Sequence, residues 1–358
     1  MKFKRFELSN VAPKPDWWLV RPNEITTFCA NVEKGDSSVI AITPGGFPVW
    51  SVIYNEFRKE PMKVNYSSAT GAREMSYGRQ DGEPQTIMLI GGVHGCEIEG
   101  TVMLFNFMQI LETGRDLRGE KMDDLAEMAE NFKFVIVPCV NMDGRAISPD
   151  HRIGSDPEEA RYANSGTMSD GSITDWWTMK KYYPIPKEMI GYRGGYPNSE
   201  GFNINHDATP GYFRTREAEA VVRLAAEQAP DLFVNLHAQP SHEINYISAP
   251  DAYCPLDLQK TVWELRRESD ILLEKAGFKV EPIGAEDPSP RIFANLNAPV
   301  TLAAGCPSLT IEFDARHSPS FERTLEAGYI FMRTFLEHGL KKPFVDRGAL
   351  SHKKPPKK

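Results

Sequence analysis

One segment limits the architecture of this chain more than any other, residues 85–111. Gln85–Ile90 (Gln-Thr-Ile-Met-Leu-Ile) is a short, mostly apolar run bounded by Gly82 and Pro84, the pattern of a buried strand. Gly91 and Gly92 break the run, and Gly100–Leu111 is apolar enough to form a buried helix. The connection between them holds Val93-His94-Gly95-Cys96-Glu97. An imidazole and a carboxylate three residues apart can reach one metal ion from a single turn of backbone. In open α/β sheets, ligands bind beyond the carboxyl ends of the strands, where this pair lies. The pair also has an ordinary reading, a loop histidine and a carboxylate favoured by the helix dipole. A metal site therefore requires partners elsewhere in the chain.

Four further runs read as strands: Val49–Tyr54, Phe132–Val137, Leu232–Leu236 and Ser308–Phe313. Helical stretches fall between them, of which Arg216–Glu227 is the best patterned and Leu256–Lys275 the longest. This alternation predicts an α/β fold, a mixed, mostly parallel central sheet with helices on both faces. Residues 1–48, rich in Pro and Trp, read as an N-terminal lead-in packed on a main domain of residues 49–345. Residues 346–358 read as a disordered tail. Ser148–Asn203 is dense in Gly, Pro, Ser, Tyr and Trp. So long an irregular stretch is often functional, and this one could cover the mouth of a site.

A net charge of -8 argues against a nucleic-acid surface. The longest apolar stretches fall short of the roughly 20 residues of a membrane helix. The first residues lack the apolar core of a signal peptide. Five cysteines, scattered and never spaced C-x-x-C, fit reduced thiols, so a cytoplasmic protein is expected. Cys96, inside the suspected site, reads as a packing residue, with a redox-sensitive thiol as the alternative.

A catalytic zinc site keeps three protein ligands and an open position. Of eight histidines, His237 directly follows the strand Leu232–Leu236 and is the leading third ligand. His151, His317, His338 and His352 have weaker claims, and His242 is placed to support a ligand. Hydrolysis also needs a base, and Glu312, interrupting the apolar run Leu309-Thr310-Ile311 with Phe313 behind it, is the outstanding carboxylate. Acidic residues are rarely fully buried unless paired, so either one face of this strand is solvated or Glu312 stands at the strand end facing the ion.

From about Val49 to about Phe335 the chain resembles the zinc carboxypeptidase superfamily, the carboxypeptidase A-like enzymes. His94-Gly-Cys-Glu97 resembles the family's H-x-x-E zinc pair. Val137-Pro138-Cys139-Val140-Asn141-Met142-Asp143-Gly144 resembles its P-x-x-N-P-D-G turn. Asn203-Ile204-Asn205-His206-Asp207 sits where the family has D-x-N-R, Leu236-His237 where it has its third ligand, and Thr310-Ile311-Glu312-Phe313 where it has the strand of the catalytic glutamate. The resemblance implies one zinc ion on His94, Glu97 and His237, with Glu312 moving a proton from water to the leaving nitrogen. It also implies an arginine that stabilises the oxyanion. Arg193 is the best positional match, with Arg145, Arg152 and Arg161 as rivals.

Two departures bear on substrate. The family grips a terminal carboxylate with an Asn-Arg pair, but here Asn205 precedes His206, and imidazole lacks the bidentate fork of guanidinium. A protonated His206 could still bind an anion as a substrate-binding residue, or Arg214 or Arg216 could take over. The family also carries a tyrosine ahead of the catalytic glutamate, whereas no tyrosine lies between Tyr253 and Glu312, and Arg291 or Phe293 could occupy that loop. The expected function is a zinc-dependent amide hydrolase of non-standard specificity, acting on a small peptide or an N-acyl amino acid. Alternatives are an N-acyl amino acid deacylase or cell-wall peptide amidase on the same scaffold, and a catalytically silent binding protein.

Overall fold

The computed structural model describes residues 14–57, 83–150, 157–175, 186–209, 211–239, 243–250, 254–281, 294–316 and 320–345. Arg152, Arg291, Phe293, His151, His242, His317, His352 and the tail lie outside them. In chain order the elements begin with α1 (Pro22–Ala30), β1 (Asp36–Ile42), β2 (Pro48–Tyr54), β3 (Gln85–Gly91) and α2 (Ile98–Thr113). They continue with α3 (Asp123–Ala129), β4 (Phe132–Val137), α4 (Met142–Ile147), α5 (Pro157–Ser165), β5 (Thr167–Met168) and β6 (Ile190–Tyr192). The remaining elements are α6 (Arg216–Gln228), β7 (Leu232–Gln239), β8 (Tyr246–Ile247), α7 (Leu256–Lys275), α8 (Asn297–Ala304), β9 (Ser308–Asp314) and α9 (Phe321–Lys341).

The main sheet has the order β1-β2-β4-β3-β7-β9-β8. Its centre, β4-β3-β7-β9, is parallel, and the flanking strands β1, β2 and β8 pair antiparallel. The parallel strands β3 and β4 are buried along their whole length, which is why they read as apolar runs without alternation. Successive residues still face opposite layers. Ile87, Leu89, Val234 and Leu236 pack with Met103, Leu104 and Phe107 of α2 and Phe331 and Phe335 of α9. Met88, Ile90 and Phe233 pack with Val221 of α6 and Val300 of α8. Helices therefore cover both faces of the sheet.

β1 lies inside the segment read as a lead-in, so the sheet takes in part of it. Its sequence, Asp-Ser-Ser-Val-Ile-Ala-Ile, is exposed or half-buried throughout, as suits an edge strand, and it gave no core signal. Ser148–Asn203 is less irregular than its composition suggests, since it holds α5 and the small β5-β6 pair.

The chain leaves β3, returns on one side as β4, and later enters β7 on the other side of β3. The strand order thus reverses between β3 and β7. Such a switch point opens a crevice beyond the carboxyl ends of the two strands.

Candidate metal centre

The connection after β3 can be this tight because of its glycines. Gly92 has φ +57°, a left-handed conformation that costs glycine little. A Cβ on Gly95 would lie 2.1 Å from Arg145 N, so only glycine lets the two backbone segments meet. Neighbouring loops fix the turn. Val140 N donates to Gly91 O (3.0 Å), Asn141 N to Gly92 O (2.8 Å) and Gly95 N to Gly195 O (2.8 Å). Arg145, one rival for the oxyanion role, is buried here, donating from Nη1 to Gly95 O (2.8 Å) and from Nη2 to Ser148 O (2.7 Å). It is a post for the turn.

The structure brings His94, Glu97 and His237 together. Their ligand atoms all lie within 4.8 Å of one another. Glu97 Oε1 is 2.8 Å from His94 Nδ1, and Glu97 Oε2 is 2.8 Å from His237 Nδ1. All three residues are buried. His94 Nε2 lies 3.1 Å from Asn203 Oδ1, and that acceptor assigns the proton to Nε2. The Nδ1 lone pair of His94 is then left facing the carboxylate. Lone pairs and a carboxylate crowded this closely repel unless a cation, either a proton or a metal, lies among them. Two imidazoles and one carboxylate are also a donor set for zinc, so the residues fit that ion.

The electrostatics agree. Burial alone would raise the Glu97 carboxyl, but the charges and hydrogen bonds of His94 and His237 hold it down at about 2. Burial opposes the imidazolium of His237, yet the carboxylate of Glu97, with Glu312 adding, raises its pKa above the ordinary value. Burial pushes the Cys96 thiol well up, which leaves it an unreactive packing residue.

Glu312 stands beside His237. The parallel pairing of β7 and β9 sets Asn235 opposite Thr310, His237 opposite Glu312 and Gln239 opposite Asp314. Thr310 and Glu312 are half-buried where Leu309, Ile311 and Phe313 are buried, so this face of β9 is the less covered one. The carboxylate is partly accessible, as a strand with one solvated face allows. Deeper along the same faces runs a chain of amides. Asn235 Nδ2 donates to Asn205 Oδ1 (3.4 Å) and to Asn297 Oδ1 (3.1 Å), and Asn297 Nδ2 donates to Thr310 Oγ1 (2.9 Å). Asn205 thus joins the site.

The other sequence-derived residues are spread more widely. Arg193 is half-buried. Its Nη2 donates to Asp143 O (2.9 Å), its Nε has no partner among the described residues, and burial lowers its pKa. His206 is half-buried in the turn Ile204–His206. Arg214 is exposed, with its guanidinium 5.9 Å from the Tyr212 ring centroid, and its backbone N donates to Asp207 Oδ2 (2.9 Å). Arg161 and Arg216 are exposed.

Two site residues escaped sequence reasoning. Asn203 was visible only as a motif position. Tyr196 lies with its ring centroid 4.3 Å from that of His94, and its phenol is pushed up by burial and by Glu97, Cys96 and Glu312. Both come from a segment about a hundred residues distant, whose composition marked the stretch Ser148–Asn203 as a candidate cover for the site without singling out either residue.

A family model described as zinc carboxypeptidase matches residues 58–251, a span that contains His94, Glu97, Asn205 and His237 but not Glu312. Among curated proteins no match is found. Among solved structures the chain is similar to a metallo-carboxypeptidase from Burkholderia cenocepacia (15% identity over 89% of this chain and 69% of that one, TM-score 0.57). It is similar to a metallo-carboxypeptidase from Pseudomonas aeruginosa in complex with (2-guanidinoethylmercapto)succinic acid (14%, 88% and 67%, TM-score 0.54). It is also similar to bovine thrombin-activatable fibrinolysis inhibitor in complex with tick carboxypeptidase inhibitor (13%, 91% and 99%, TM-score 0.52). At such identities the likeness concerns the fold. The family model adds what the fold cannot, for it spans more than half of the chain and takes in all three clustered ligands: the chain belongs to the zinc carboxypeptidase family and is a zinc metallopeptidase.

Proposed function

We propose that this enzyme hydrolyses an amide bond in a small peptide or N-acyl amino acid and depends less on a free terminal carboxylate than a carboxypeptidase with an Asn-Arg clamp. The observation that carries this reading is the half-buried His206 after Asn205, where a guanidinium fork would stand. One zinc ion held by His94, Glu97 and His237 would supply Lewis acidity, acidifying water and polarising the scissile carbonyl. The chain's own groups do the rest. A carboxylate oxygen of Glu312 takes a proton from the attacking water and delivers it to the departing nitrogen, so that water is divided between the acid and the amine. Arg193, the positional match to the family's arginine, keeps an Nε–H unpartnered among the described residues and is the group assigned to the developing oxyanion. Asn205, held by the amide of Asn235, is the amide assigned to the leaving group.

Matched peptides ending in a carboxylate or a carboxamide test this. Comparable kcat/KM for the two, with activity lost in Glu312→Gln, supports the reading. A preference for the free carboxylate above about a hundredfold would contradict the specificity, and full activity in Glu312→Gln would contradict the mechanism.

A further inference from the structure

We propose that Asn203 is the positioning residue that sets the metal affinity of this centre, and that its uncharged amide holds the site at a weaker affinity than a carboxylate there would. The inference rests on the zinc reading above. Asn203 is buried, and its Oδ1 accepts from two donors, His94 Nε2 at 3.1 Å and the backbone N of Asn205 at 3.2 Å. The second donor fixes the orientation of the amide. A flipped side chain would set NH2 against the Asn205 N–H, so the oxygen must be the atom that meets His94. This fixed acceptor makes His94 Nδ1 the free lone pair. The ring of Tyr196 lies against the same imidazole.

The arrangement has a visible cost. Asn203 Nδ2 is buried and has no hydrogen-bond partner among the described residues. A buried donor left unmet calls for an explanation, and here the oxygen's two contacts supply it. The other imidazole is still less supported, for His237 Nε2 is also buried and without a partner among the described residues. Metal-bound histidines nearly always pass their outer N–H to a carboxylate, carbonyl or water, and a carboxylate makes the ligand most basic. Among the described residues, one histidine of this centre has a neutral amide behind it and the outer nitrogen of the other meets no hydrogen-bond partner. Asn203 is, among the described residues, the group that supports an outer imidazole nitrogen, so the hold on the metal should respond to it.

The test is competition for zinc between the full chain and a chromophoric chelator, with the absorption spectrum of the cobalt-loaded protein as a second readout. Asn203→Leu should bind zinc roughly 10–100-fold more weakly and alter the cobalt spectrum, because His94 loses its fixed orientation. Asn203→Asp keeps the shape and adds charge, and it should bind zinc roughly tenfold more tightly than the parent. Thermal melts identify any variant that fails to fold, and Asn203→Asp keeps the question open to measurement if Asn203→Leu does. A folded Asn203→Leu protein with the parent's affinity and spectrum overturns the proposal, as does an Asn203→Asp protein no tighter than the parent. A parent protein that takes up no zinc at all overturns the metal reading and this inference together.

Discussion

Glu217 gives a quantitative test of how the site is supported. It is fully buried in the first turn of α6, and Asn198 Nδ2 approaches its two carboxylate oxygens at 3.2 and 3.5 Å. Asn198 in turn accepts from Glu200 N and Phe202 N, which shapes the loop delivering Asn203 to His94. Burial is the main reason that the Glu217 carboxyl is raised from 4.5 to about 7, and the charges of Asp143 and Glu200 add to it. The folded state therefore holds this proton more tightly than the unfolded chain. That stabilisation is complete below about pH 4.5 and is lost as pH rises to about 7. At about 1.4 kcal/mol per pH unit, the interval corresponds to about 3 kcal/mol, an upper figure for a group with partial hydrogen bonding. Glu217→Gln keeps the shape and cannot ionise. Urea unfolding should show parent and variant alike near pH 5 and the variant more stable by about 1–3 kcal/mol at pH 8, with an unchanged m-value. Equal stabilities at pH 8 would refute the claim that Glu217 is buried without adequate compensation.

Two further perturbations bear on the centre itself. Gly95→Ala would place a Cβ 2.1 Å from Arg145 N and 2.3 Å from Gly144 C, and it should cost roughly 1–3 kcal/mol or more in a melt and reduce zinc uptake. A normal melt with full zinc loading would show that the turn relaxes more easily than its packing indicates. Chelated and loaded protein should also differ in their response to pH. Without metal, the stabilisation of His237 beside Glu97 is present below about 6.5 and lost as pH rises through its raised pKa, whereas that of Glu97 is present above 4.5 and lost toward 2. Chelated protein should melt highest between those pH values, and zinc should shift the optimum upward because binding releases protons. Superimposable profiles would contradict this.

The parallel strands were legible because burial on both faces forces continuous apolar runs, as in Phe132–Val137. Leu256–Lys275 was legible from end to end as a helix. β1 was not, since an edge strand built on Asp36, Ser37 and Ser38 buries too little to leave a signal. α9, Phe321–Lys341, was not singled out either, although its Ser320 cap and buried face are regular. In the site, His94 and Glu97 lie in the connection just after β3 and His237 lies near the carboxyl end of β7, so apolar strand runs in the local sequence pointed to them. Arg145 illustrates the opposite case. An arginine near the motif invites a catalytic reading, and only the fold shows its guanidinium spent on loop carbonyls. Asn203 and Tyr196 reach His94 through tertiary packing, which short-range patterns do not encode.

The most direct test of the central claim is the metal content of the purified protein beside that of His237→Ala, with hydrolysis of an amide substrate followed in both. One zinc per chain in the parent, little in the variant, and hydrolysis lost with the metal is the result expected. Stoichiometric zinc and undiminished hydrolysis in a folded His237→Ala protein would contradict the assignment of the centre to His94, Glu97 and His237.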